Sequence, residues 1–442
     1  MTLITRRQSL ILGAGAMAAG TLPAHAAITV GNATPPKMEI EKGATLRVLR
    51  PTKFVDPDEV IFKENTAKFT KATGVDVRVD FVGWEDLRPQ TAVAANTGAG
   101  PDVVIGWPDD PHLYGDKLVE MSDVAEYLGN KYGGWYFIAE KYGQKWGTKN
   151  WISIPMGGSG GPCVYRESWV KQAGYDKIPD DLGEFLKLCQ NLKKNGHPVG
   201  FALGNAVGDA NAYCNWLLWS HGGFIVDEGG HPALNRPETI EALKYAKELQ
   251  DTFIPGTLGW QDPSNNKAFI NGDIGLTQNG VSIYFVLKND PKTAEMAADT
   301  NHAHMPRGAT GKIAETALIL NAMVFKHSKY PNASKQFITF LMEQEQYLPW
   351  LTGCLGYWSQ PLKAYEQADV WNTDPKLAPY RDTCATTFWN GFKGPITQAS
   401  GAVTANYVNV HMFASVASGQ ATPEEAVKAA EREVRRYYKE KA

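Results

Sequence analysis

The chain has 442 residues and a formal charge of −3, from 44 basic and 47 acidic side chains with no long block of either sign. That balance excludes a nucleic-acid partner, which needs a concentrated basic face, while the length allows two or three lobes with cores of their own. The five cysteines, Cys163, Cys189, Cys214, Cys354 and Cys384, lie far apart with no C-x-x-C pair. This spacing excludes an iron–sulfur or structural zinc site.

In chain order, the first feature is an export signal. Arg6-Arg7 supply the charged end, residues 11–22 an apolar and small-residue run, and Ala24-His25-Ala26 an A-x-A cleavage motif ahead of Ala27. The run is too short for a permanent membrane helix, which takes ~20 apolar residues. Residues 1–26 therefore read as a twin-arginine signal peptide, and the mature protein is expected in the periplasm. Losing Arg6 and Arg7 takes the charge from −3 to −5 (−3 − 2). No Cys follows the cleavage site, so a lipid anchor is not expected, and no later stretch resembles a membrane span.

Beyond the signal the pattern alternates strands and helices. Residues 44–49 read as a buried strand, 58–73 as an amphipathic helix, 75–82 as a strand of period two, 87–96 as a helix and 101–106 as another buried strand. Residues 162–165 form a strand after the glycine run 157–161, followed by helices over 168–173 and 182–195, the latter capped by Asp180 or Asp181. Pro237 opens a further helix through 249. Such repetition predicts a mostly parallel sheet with helices on both faces, and a ligand in the crevice beyond the strand ends. The loops to watch are thus 50–54, 83–86 and 107–114. The glycine run lacks the G-K-[ST] ending of a phosphate loop and reads as a crossing or a close backbone approach to a ligand.

Several tryptophans, Trp84, Trp107, Trp151, Trp260, Trp358 and Trp389, fall in polar, Gly- and Asn-rich segments, where a flat ring can stack on a ring-shaped polar ligand. The parts of an enzyme are missing, since there is no G-x-S-x-G, no H-E-x-x-H and no clustered Cys. His302-Ala303-His304 could face a metal from a strand, but without a third ligand it reads as a loop. No catalytic residue, metal or cofactor is expected.

The residues also carry a family resemblance. The stretch 97–104 (TGAGPDVV), Gly115 to Met121, Ile154-Pro155 with Val164-Tyr165-Arg166, 221–227 (HGGFIVD), 265–272 (NNKAFING), 333–341 and 418–426 run in one order from about residue 45 onward. In this the chain resembles the family 1 extracellular solute-binding proteins of bacterial ABC importers, the group that includes the maltose-binding proteins. The resemblance implies an α/β, two-lobed periplasmic-binding-protein type II fold with the ligand cleft between the lobes. Crossings are expected near 155–161, 317–321 and Pro361. Lobe one would comprise 45–155 and 320–361, and lobe two 160–316 and 362–442.

The resemblance further implies a carbohydrate ligand, captured by hinge closure and delivered to ABC permease subunits by a monomer. Carried over position by position, Trp107 would be the stacking platform and Asp109 or Asp110 the hydroxyl acceptor, with Trp84 and Lys53 on neighbouring loops. Lobe two would contribute Asp209, Asn211, Trp216, Asn279 and Tyr284; Ser282 stands where sugar-binding relatives commonly carry Trp. Trp358 and Tyr407 would add rings late in the chain. Arg50 and Lys53 would suit an anionic group unless they pair with nearby carboxylates. The alternatives are a polyamine, an organic anion or iron as ligand, and a periplasmic carbohydrate-active enzyme.

Overall fold

The computed structural model describes residues 28–385 and 388–439; the expected signal and cleavage motif, residues 1–26, lie outside the described residues. The described residues form eight strands: β1 (Thr45–Pro51), β2 (Asp76–Val82), β3 (Val103–Gly106), β4 (Ile154–Ser159), β5 (Cys163–Arg166), β6 (Leu276–Gln278), β7 (Thr300–Ala303) and β8 (Leu318–Val324). They form a five-stranded sheet ordered β2-β1-β3-β8-β4 and a three-stranded sheet ordered β6-β5-β7. In the larger sheet β1 runs parallel to β2 and β3, with Val48 opposite Val79 and Val103, while β8 runs antiparallel to β3 and β4. In the smaller one β6 and β7 both run against β5, where strand–helix alternation predicts parallel neighbours. Those strands are three and four residues long, too short for their period to show direction.

The helices follow the signals that predict them. The helix Asp56–Thr73 carries Asp56, Asp58 and Glu59 in its first turn, and Gly74 ends it at φ 77° with its N–H on the Thr70 carbonyl, the left-handed stop that glycine adopts without penalty. The helix Leu182–Lys194 is capped by Asp181, whose carboxylate accepts the Glu184 N–H at 2.9 Å, and buries Phe185, Leu188, Cys189 and Leu192 along one face. The helix Asp209–Ser220 is different. Every residue from Ala210 to Ser220 is buried, so it runs through a core and has no polar face.

One core packs Leu46, Val48, Val103, Val104 and Ile105 against Phe62, Phe69, Phe337 and Met342. It continues through Tyr357 and Leu362 to Tyr365, which stacks on Tyr132 and Tyr347, so residues 362–371, expected with lobe two, pack against the first sheet's helices, while Asp374 and Lys376 bond Tyr284 and the carbonyls of Ala298 and Thr300. A second core gathers Cys163, Phe185, Leu188, Trp216, Leu243 and, from the C-terminal helices, Val410, Phe413, Val427 and Val434. The three expected crossings lie side by side. β4 pairs with β8 from Ile154–Ala322 to Ser159–Leu318, and Gly158 and Ser359 exchange backbone bonds of 2.8 and 2.9 Å. The chain passes between the two cores on this hydrogen-bonded ribbon. All five cysteines are buried free thiols, and among the described residues no helix is long and apolar enough to cross a membrane.

Candidate functional site

A narrow cavity of about 30 Å³, room for a water or two, lies where the ribbon leaves the first sheet. One wall is aromatic. Phe54, from the loop after β1, meets Trp84 edge-on at 4.5 Å between ring centroids and lies parallel to Tyr357 at 6.3 Å. Trp84 opens the helix Trp84–Thr97, and its indole N–H donates to the Thr52 carbonyl at 3.0 Å, which fixes the ring. Behind it sit Trp107 at 4.6 Å and Trp358 at 6.3 Å, both essentially buried.

The opposite wall is polar. Asp209, Asp262, Gln278, Asn279 and Ser282 line it, and Ser159, Gly160, Gly161, Thr316 and Leu318 of the ribbon close its floor. Asp262 accepts the backbone N–H groups of Val207, Gly208 and Asp209 at 2.7, 2.9 and 2.8 Å. Its carboxylate therefore neutralises the positive end of the helix Asp209–Ser220. Asp209 sits beside it, with Oδ2 buried and without a hydrogen-bond partner among the described residues. Burial first, and Asp262 second, push the Asp209 carboxyl well above the usual carboxylate range. Two neighbouring carboxyls cannot both hold full charge cheaply; burial pushes Asp262 up as well, to about 6, against its three backbone donors, and Asp209, with fewer donors, is the one raised further.

The expected ligand residues fall into three groups. Trp84, Asp209 and Asn279 line the cavity. Trp107 and Trp358 back the aromatic wall without lining it. The others stand elsewhere. Asp110 caps the Trp107 N–H at 2.8 Å and pairs with Arg88 at 2.8 Å. Asp109 is buried against Asn390 at 2.7 Å. Trp216 donates to the Pro306 carbonyl inside the second core. The Asn211 amide turns back to the Val207 carbonyl, and the Tyr284 hydroxyl goes to Asp374 at 2.7 Å. Tyr407 is half-buried near Arg88. Lys53 is exposed and pairs with Asp56 at 2.7 Å, while Arg50 is buried against Asp58 at 2.6 Å. The two cations are engaged by the helix after β1, not by Asp109, Asp110 or Glu64. His302 bonds the Lys376 carbonyl and His304 pairs with Glu315, so the two imidazoles serve different partners.

Sequence reasoning missed Phe54, Asp262, Gln278, Thr316 and Tyr357. Phe54 ends a loop already singled out, beside Lys53, and Tyr357 precedes the more conspicuous Trp358. Asp262, at the start of a helix, is indistinguishable from an ordinary first-turn acid, because its role depends on a loop some 50 residues earlier.

A bacterial extracellular solute-binding protein profile matches residues 65–379, and the chain belongs to that family. A binding protein of Brucella abortus is 21% identical over 278 residues, 62% of this chain and 66% of the relative, so the chain spans just under two thirds of that relative's length. The maltose-bound MalE3 of T. maritima superposes with a TM-score of 0.74 at 18% identity, covering 89% of this chain and 99% of that one. An ABC transporter solute-binding protein of Agrobacterium vitis S4 with bound D-mannitol gives 0.73 at 19%, covering 90% and 99%. These likenesses establish the two-lobed binding-protein fold.

Proposed function

We propose that this chain is the solute-capturing component of an ABC importer, exported by the twin-arginine route to the periplasm, and that its solute is a small carbohydrate or polyol. The observation that carries the reading is the cavity itself. A ring wall of Phe54, Trp84 and Tyr357 faces a wall of hydroxyl, amide and carboxyl groups, the pairing of flat apolar faces with directed hydrogen bonds that a ring or chain of C–OH groups fits. The solved relatives with bound maltose and D-mannitol support the same class.

In this reading the solute docks on the rings, and the polar wall closes by bending of the β4–β8 ribbon. Closure must be driven by contacts the open form lacks, since a solute with equal affinity for both forms shifts nothing. Lobe one then carries Trp84 and Tyr357 and lobe two Asp209 and Asn279, and the closed pair docks as a monomer on permease subunits. The protein binds and releases its solute unchanged.

The test is a thermal-shift panel of mono- and disaccharides, polyols, sugar acids and polyamines. A solute at 100 times its dissociation constant adds about 2.7 kcal/mol and raises the melting temperature visibly. Trp84→Ala and Asn279→Ala are expected to abolish the shift. Shifts confined to sugar acids, or silence across the carbohydrates and polyols, would refute the reading.

A further inference from the structure

Two side-chain oxygens of the cavity's carboxyl and amide groups are unpaired, and each of its side-chain nitrogens already makes one hydrogen bond. Gln278 Nε2 donates to the Gly161 carbonyl at 2.7 Å, Asn279 Nδ2 to Ser282 Oγ at 3.0 Å and Trp84 Nε1 to Thr52. The unpaired indole N–H groups of Trp107 and Trp358 lie behind the ring wall, outside the lining. Against these, Asp209 Oδ2 and Gln278 Oε1 are buried without a partner among the described residues, and Gln278 is only 3% exposed. No lysine, arginine or histidine is among the described lining residues. The nearest cations by sequence, Arg50 and Lys53, are paired with Asp58 and Asp56, and Arg307 of the adjoining space faces Asp180.

Resting on the carbohydrate reading above, we propose that the solute is an amino sugar or amino polyol whose protonated amine is held between the Asp209 carboxylate, Gln278 Oε1 and the rings of Phe54, Trp84 and Tyr357. An ammonium has three donors and no acceptor, which matches two orphaned acceptors. Aromatic faces attract a cation more strongly than a neutral group of the same size. The remaining hydroxyls of such a solute meet Ser159, Ser282 and Thr316, whose Oγ1 is also buried and unpaired. Asp262, the charged group beside Asp209, is held by three backbone donors, so the arriving amine displaces the proton on Asp209.

Calorimetric titration with matched pairs tests this: D-glucosamine against D-glucose, and 1-amino-1-deoxy-D-glucitol against D-glucitol. The amine member of at least one pair is expected to bind about tenfold tighter or better, a gap of about 1.4 kcal/mol, with proton release visible as buffer-dependent heat at neutral pH. Asp209→Asn is expected to erase the preference while leaving the melting temperature of the unliganded protein within a few degrees. Asp209→Glu, tested in case the asparagine variant fails to fold, should keep part of it. Equal or tighter binding of the neutral member would overturn the amine assignment and leave the carbohydrate reading standing. Failure of all four probes would overturn both.

Discussion

Asp109 illustrates what burial does to a single carboxyl. Its carboxyl is pushed up to about 6 by desolvation, against the pull of Arg88 and the Asn390 amide, and its Oδ1 is buried and unpaired. Between its unfolded value of 3.8 and about 6, the native state holds a proton that the unfolded chain has released. Stability therefore falls as pH rises through that window, and the rise corresponds to roughly 3 kcal/mol as an upper figure. Asp109→Asn removes this cost. Denaturant melts of both proteins at pH 4 and pH 7 should show the variant gaining on the wild type at the higher pH; an unchanged gap would contradict the assignment. The same environment explains why its depth was not legible in the sequence. Pro108-Asp109-Asp110-Pro111 has the composition of a solvated turn, but both carboxyls are fully buried. Depth is set by what packs over the loop, here Asn390 and Tyr142, which approach from far along the chain.

At the scale of elements, β4 is the most constrained segment. A Cβ at Gly157 would stand 2.8 Å from the Trp358 Cβ and 3.0 Å from its carbonyl oxygen, and the next residue, Ser359, is locked to Gly158 by two backbone bonds. Because backbone cannot step aside as a flexible side chain can, Gly157→Ala should cost about 1–3 kcal/mol, read as a lower denaturation midpoint. Asp181→Ala, which removes the cap on the Glu184 N–H, should cost about 1 kcal/mol without altering solute affinity. The helix over 182–194 was legible to within a residue because its cap and its apolar stripe are both local. The helix Asp209–Ser220 was not placed, since a helix buried all round has no stripe to read, and Trp216 in it was accordingly assigned to a cleft it does not face. Loops 50–54 and 83–86 were legible as cavity-lining because strand ends in such sheets open toward one side.

For the whole molecule, the arrangement of two cores around one ribbon makes a prediction about shape. Closing the cavity over a solute brings the Trp84 wall and the Asn279 wall together, so saturating solute should reduce the radius of gyration in small-angle scattering. Gly160→Val should blunt that change, because even a Cβ at Gly160 would stand 2.3 Å from the Thr383 hydroxyl across the ribbon. A solute that binds without compaction would argue against hinge closure. The two-lobed plan was legible through the order of weak matches along the chain. The packing of residues 362–371 on lobe one was not, because short helical turns linked by loops carry no periodicity that says which core they cover.

The buried thiols have a practical consequence. Cys163, Cys189 and Cys214 lie in the second core, Cys354 in the first, and Cys384 in the small cluster with Ile319 and Trp389 near the ribbon. Burial raises the pKa of each of them, and only the thiolate reacts, so the native protein should be inert to alkylating reagents. Each sulfur becomes reactive only when its own surroundings open. The wild-type chain thus carries a set of internal clocks, and a brief alkylation pulse along a denaturant ramp, read by mass spectrometry, would record the order in which its parts come apart.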